Sequence, residues 1–193
     1  MIIGLTGGIG SGKSTVAKEF QQIGNIAVYF ADDEAKKLMV TSKVIKAKIC
    51  KEFGKEAYKD NQLNKAFIAD KVFSNTKKLT VLNSIVHPEV YKHFRAFVKK
   101  NNDKDYVLYE NAILFENDSD VLCDKIITVI ADENLRIQRV IKRDKTSELA
   151  VKDRIRNQWK DAKKALLSNY IITNNTSDEL LIQIMRIHNN LTK

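Results

Sequence analysis

The sequence predicts an α/β fold: a parallel sheet of about five strands with helices on both faces. Three observations predict it. Five short apolar runs, at 2–6, 26–30, 106–109, 126–131 and 169–172, alternate with longer polar stretches of helical periodicity. A glycine-rich turn joins the first run to the first helical stretch. Between the second and third runs lie about seventy residues with helical spacing and no period-two alternation, far more than the 2–6 residues usual between elements of such folds.

The elements follow in order. Ile2 to Thr6 reads as a buried strand, Gly7 to Gly12 as a loop, and Lys13 to Ile23 as a helix closed by Gly24. Ile26 to Phe30 is a second strand. The stretch from Asp32 to about Lys104 reads as a helical insertion, with Val44, Ile45, Ile49 and Phe53, then Leu79, Leu82, Ile85 and Val86, at helical spacing. Tyr106 to Tyr109 and Ile126 to Ala131 are further strands; Glu133 to Arg143 and Val151 to Lys164 are charged helices. Asn169 to Ile172 is a last strand. Thr176, Ser177, Asp178 and Glu179 form a capping box before a final apolar-periodic helix. The expected organisation is one domain over 1–193: a core of about 1–31, 105–135 and 166–193, an insertion of about 32–104, and a basic lid of about 136–165.

Composition bounds the function. The chain has 193 residues, 44% hydrophobic and 30% charged, with 7 Gly and 1 Pro, so collagen-like and low-complexity readings are excluded. Mean hydropathy is −0.32, and no apolar run reaches the ~18 residues of a membrane span. No basic residue precedes Lys13, so no secretory leader is expected. Cys50 and Cys123 are isolated, which argues against a disulfide framework or zinc site and for a reduced, cytoplasmic location. The formal charge is +9. Between Arg136 and Lys164 eleven basic residues face four acidic ones, so most of the surplus is local. Such a surplus points to phosphate-rich partners, and surface lysine kept for solubility would account for it too.

Gly7-Gly8-Ile9-Gly10-Ser11-Gly12-Lys13-Ser14 carries the chemistry. It matches G-x-x-x-x-G-K-[ST] in full, after a strand and before a helix. Glycines let successive N–H groups approach phosphate oxygens closely, and the helix adds its positive end to them. Lys13 reaches the outer phosphates, and the Ser14 hydroxyl is a magnesium ligand. The residues from Gly8 to Thr15 are therefore the expected nucleotide contacts. A GTPase would need N-K-x-D, but Asn64-Lys65 is followed by Ala66-Phe67. A motor-type ATPase usually ends a strand in Asp-Glu, where this chain has Tyr109-Glu110-Asn111. A small-molecule kinase fits better, with the insertion holding the acceptor and the basic segment closing over the phosphates.

The phosphate loop, Ala31-Asp32 with Ala35, His87-Pro88, Ile113-Leu114-Phe115-Glu116, Gln138-Arg139, Arg143-Asp144, Arg154 with Gln158, and Ile171-Ile172 with Asn174-Asn175 together resemble the dephospho-coenzyme A kinase family over nearly the whole chain. The resemblance implies transfer of the ATP γ-phosphoryl group to the 3′-hydroxyl of dephospho-coenzyme A, the last step of coenzyme A synthesis. It implies ATP and Mg²⁺, small-molecule partners, no nucleic acid or membrane, and a monomer or weak homo-oligomer. Departures are present. Phe30-Ala31-Asp32 replaces the family's Asp-Ala-Asp, Glu110-Asn111-Ala112 its Asp-Ile-Pro, and Lys65 an acceptor-domain Arg; Thr173 and Thr176 replace Asp and Gly beside the paired Asn.

Candidate residues divide by chemistry. Asp32, just past the second strand, can take the proton of a hydroxyl acceptor or cap the next helix; the resemblance favours the base. Glu110 can hold magnesium or be a solvated strand end, and Glu116 is equally open. Arg136, Arg139 and Arg143 share a helical face at i, i+3 and i+7. Arg139 is expected on the transferring phosphoryl group and the acceptor, Arg143 on ATP, with Arg154 a weaker candidate. The resemblance implies Lys65 and His87 as acceptor contacts, and His87 has the equal competing reading of a helix start with Pro88 at its first position. His93 and His188 read as surface residues and Trp159 as a packing anchor. Other kinase substrates, and polynucleotide binding through the basic stretch, are the competing functions.

Overall fold

The computed structural model describes residues 1–73, 75–175 and 179–193. Contacts divide the chain into two units, Met1–Phe30 with Asn101–Lys193, and Ala31–Lys100.

In the first unit, β1 (Ile2–Thr6), β2 (Ile26–Phe30), β5 (Tyr106–Glu110), β6 (Lys125–Ile130) and β7 (Tyr170–Thr173) form one parallel sheet in the order β2-β5-β1-β6-β7. All five residues of β5 and four consecutive residues of β6 are buried, as strands covered on both faces require. Ile3, Leu5, Leu108, Ile127, Val129 and Ile172 form a core with Val16 and Phe20 of α1 (Lys13–Ile23) and Ile184 and Ile187 of α9 (Leu180–Leu191). Thr128, alternating with Ile127 and Val129, hydrogen-bonds Ser168 just past α8 (Asp161–Leu166) through hydroxyls 2.6 Å apart. The basic segment comprises α6 (Glu133–Asp144), α7 (Glu148–Arg156) and α8, so the single helix expected over 151–164 is broken. The cause is tertiary: the Trp159 N–H donates to Glu116 Oε1 at 2.9 Å instead of to a helical carbonyl. Asp132 caps α6 by accepting from the Asn134 and Leu135 amides. Three of the four residues of the expected capping box, Thr176 to Asp178, lie outside the described residues.

The second unit contains α2 (Ala31–Thr41), α3 (Lys43–Phe53), α4 (Lys65–Phe73) and α5 (Thr76–Lys100). It also contains a hairpin the sequence reading missed, β3 (Tyr58–Lys59) against β4 (Gln62–Leu63). Its turn residues Asp60 and Asn61 have φ of 49° and 62°. Asp and Asn tolerate the left-handed region that a two-residue hairpin turn requires, so this pair was the available signal. Lys46 secures the turn by donating to Asn61 at 2.6 Å. Two further expectations are corrected here. Pro88 does not start a helix but lies inside the 25-residue α5, whose buried Ile85, Val86, Val90 and Phe94 hold it together across the missing amide. Asp32 is not an N-cap, because α2 begins at Ala31 directly after β2, which places Asp32 in its first turn.

Candidate active site

The centre of the site is the turn between β1 and α1. Gly12, at φ 93°, starts α1 without a capping side chain, and no acidic residue stands in the first turn. Four amides at a helix start need acceptors, and a cation at Lys13 opposes the helix dipole. Both features suit an anion supplied from outside. A Cβ on Gly12 would collide with the Asn174 amide nitrogen, and one on Gly10 would reach 2.5 Å from the Arg136 carbonyl, so neighbouring chain closes on the loop.

Lys13 is only 8% exposed, and its ammonium donates to the Gly8 carbonyl at 3.3 Å. Ser14 and Thr15, the next residues, are exposed. Asn174, placed by the end of β7, donates to the Ser11 carbonyl at 2.8 Å. Arg139 reaches the same corner: it donates to the Asn174 carbonyl at 3.0 Å, and a Cβ on Gly12 would lie 4.0 Å from its guanidinium. Glu110 ends β5 opposite Leu5 of β1. It is 5% exposed, so the solvated strand end is ruled out. A carboxylate in that position is retained only with compensating partners.

The shared face of α6 divides among three tasks. Arg136 turns into the protein, donating to the Ile9 carbonyl at 2.9 Å and to Asp161 at 2.6 Å. Arg139 serves the loop as described. Arg143 is exposed and grips Asp144 at 2.7 Å, where Arg154 joins it at 2.8 Å. The Arg143 hydrogen bond, seconded by Arg154, lowers the Asp144 carboxyl below the usual carboxylate range and raises the Arg143 guanidinium. The structure therefore brings Lys13 and Arg139 together at the loop, and not Arg143. At least six of the eleven basic side chains in this stretch make ion pairs.

Sequence reasoning gave no role to three residues that the structure ties down, two of them on the loop. Asp161 accepts the Gly8 N–H at 3.1 Å, and Gln158 accepts the Ile9 N–H at 2.8 Å. Lys164, counted with the lid charges, is wholly buried and donates to Glu116 at 2.8 Å and to the Ala112 carbonyl at 2.7 Å. Glu116 is thereby an anchor for α8. Trp159 packs, as expected, stacking parallel on Phe115 with Lys163 over its ring. No local pattern marks Lys164 or Asp161, because their partners lie 48 and 153 residues away.

In the second unit Asp32 is exposed in α2, Lys65 opens α4, and His87 lies on α5 with its imidazole pKa lowered by desolvation. His93 faces Glu34 at 3.7 Å. Oxygen donors at Ser14 and Glu110 match the preference of magnesium for one or two protein oxygens completed by phosphate. Among the described residues no three His, Cys, Asp or Glu side chains gather as a metal cage, and no helix is long and apolar enough to cross a membrane.

A family model described as dephospho-CoA kinase matches residues 1–179. Dephospho-CoA kinase of Bacteroides fragilis is 35% identical over 185 residues, covering 96% of this chain and 90% of that protein. Dephospho-CoA kinase of Chlorobaculum tepidum is 37% identical over 199 aligned positions, covering 99% and 95%. A crystal structure from Thermus thermophilus superposes with a TM-score of 0.90 at 27% identity, covering 100% and 98%.

Proposed function

The chain belongs to the dephospho-CoA kinase family and phosphorylates dephospho-coenzyme A with ATP in coenzyme A synthesis, and from that premise we propose how its residues divide the work. The amides of Gly10 and of Gly12 to Thr15, with the Lys13 ammonium, hold the β- and γ-phosphates; the Gly8 and Ile9 amides, also expected as nucleotide contacts, donate instead to Asp161 and Gln158, and the Ser11 amide to the Gly8 carbonyl. Ser14 and Glu110 would hold Mg²⁺, which when bound would neutralise charge on the phosphate oxygens. Asp32 takes the proton of the 3′-hydroxyl as its oxygen bonds to the γ-phosphorus and the bond to the bridging β–γ oxygen breaks, releasing ADP. Arg139 stabilises charge on the group in flight; Arg143, expected on ATP, rests on Asp144 and not at the loop, so the phosphates are not assigned to it. Lys65 and His87, with Asp32 and Arg139, hold the acceptor. The chain acts in the cytoplasm on small molecules, as a monomer or weak homo-oligomer, without nucleic acid.

The observation that carries this reading is the buried Lys13 ammonium on the Gly8 carbonyl, beside a helix start with no side-chain cap. The test is ATP consumption with dephospho-coenzyme A, set against adenosine, nucleotides and RNA, for the parent and Lys13→Ala. Turnover is expected with dephospho-coenzyme A alone and is expected to vanish in a folded Lys13→Ala protein. Near-normal turnover by that variant would sink the role of the loop.

A further inference from the structure

Glycine-rich loops lose more conformational entropy on ordering than other segments, so a loop that must present its amides to phosphate gains from being fixed beforehand. Here the fixing comes from the segment between α7 and α8. Asp161 accepts the Gly8 N–H, Gln158 accepts the Ile9 N–H, and Arg136 donates to the Ile9 carbonyl. Three successive peptide groups, 7–8, 8–9 and 9–10, are thereby oriented from outside the loop. The middle one has its carbonyl, that of Gly8, on the Ser11 amide at 3.1 Å and on the Lys13 ammonium. Arg136 and Asp161 also bind each other, at 2.6 Å, with side chains 7% and 17% exposed.

We propose that Arg136 and Asp161 form a positioning latch that sets the first half of the phosphate loop, and through the Gly8 carbonyl the Lys13 ammonium, before nucleotide arrives. Neither residue touches substrate in this proposal; both act through the loop. The proposal rests on the reading of the loop as the ATP site and makes no use of the acceptor.

The latch predicts a particular split of effects. Loss of preorganisation weakens binding of anything held by its phosphates and leaves the chemical step at saturation nearly intact. Ion pairs that work as one unit also give non-additive effects. The variants are Arg136→Gln, Asp161→Asn and the double; Asp161→Asn keeps the volume and an acceptor oxygen, so it is the most conservative of the three. Calorimetry with ATP and with inorganic tripolyphosphate, which lacks the base, reads the loop directly, and melting temperature is followed in parallel. Each single variant is expected to weaken both ligands about tenfold and raise the KM for ATP alike, with kcat and the KM for dephospho-coenzyme A nearly unchanged. The double variant is expected to be no worse than the poorer single. A lower melting temperature with affinities within about twofold of the parent would reduce the pair to a structural ion pair and overturn the latch, as would additive losses. A parent that bound ATP but did not phosphorylate dephospho-coenzyme A would defeat the functional reading, while the binding data would still decide the latch.

Discussion

Asp32 separates two roles by a single position. Inside the first turn of α2 its carboxylate gains at most the modest dipole benefit, about 0.3–1 kcal/mol, and Asp33 and Glu34 share that turn. Asp32→Asn is therefore expected to leave the melting temperature nearly unchanged. A carboxamide cannot accept the proton, so the rate at saturating ATP and dephospho-coenzyme A is expected to fall roughly 10²–10⁴-fold. Full turnover in the variant would remove Asp32 as base. At this scale the sequence was legible where chemistry is local. The loop residues and Lys13 follow from a contiguous motif. Arg136 was read with Arg139 and Arg143 on one face, since spacing gives a shared face and says nothing of which member is buried. That depended on Asp161, 25 residues along.

Among elements, α8 shows how a charged segment becomes internal. Its Lys164 side chain is fully buried against Glu116, whose Oε1 also accepts the Trp159 N–H that ends the α7 region. Removing one partner of a buried ion pair leaves an uncompensated charge and typically costs about 3–5 kcal/mol. Lys164→Met is expected to lower stability by that order, measured by denaturant unfolding, and Glu116→Gln by less because the amide oxygen can still accept both hydrogen bonds. Equal stability of parent and Lys164→Met would show that the pair anchors nothing. The same contacts explain why helix boundaries were partly illegible. Periodicity continues from Val151 to Lys164, and the break at 157–160 is imposed by Glu116 and the phosphate loop. In the other unit, Pro88 suggested a boundary by its missing amide, yet the apolar stripe of α5 carries the helix past it. The hairpin escaped because two-residue strands are too short to show alternation.

For the whole molecule, the alternation of apolar runs and helices made the parallel sheet legible, because the central strands β1, β5 and β6 are buried on both faces and so read as continuous runs. Strand order was not: which runs neighbour each other depends on crossovers with no local signature. Charge behaves similarly. The net +9 is a sum over the sequence, but at least six basic side chains between Arg136 and Lys164 are tied to carboxylates within the fold. Ion pairs cancel at short range and leave the total unchanged, so the long-range field still attracts anions such as ATP and dephospho-coenzyme A. The Debye length falls from about 30 Å at 0.01 M salt to about 10 Å at 0.1 M, so that field should be felt only in dilute salt. Raising KCl from about 0.01 M to about 0.3 M is therefore expected to lower kcat/KM for both substrates several-fold, while kcat at saturation and the melting temperature hold nearly constant. Initial rates across a salt series check this, with an uncharged osmolyte as control for viscosity. A flat kcat/KM would mean that the surplus lies too far from the site to steer its ligands, leaving recognition to the loop, Lys13 and Arg139 at contact range.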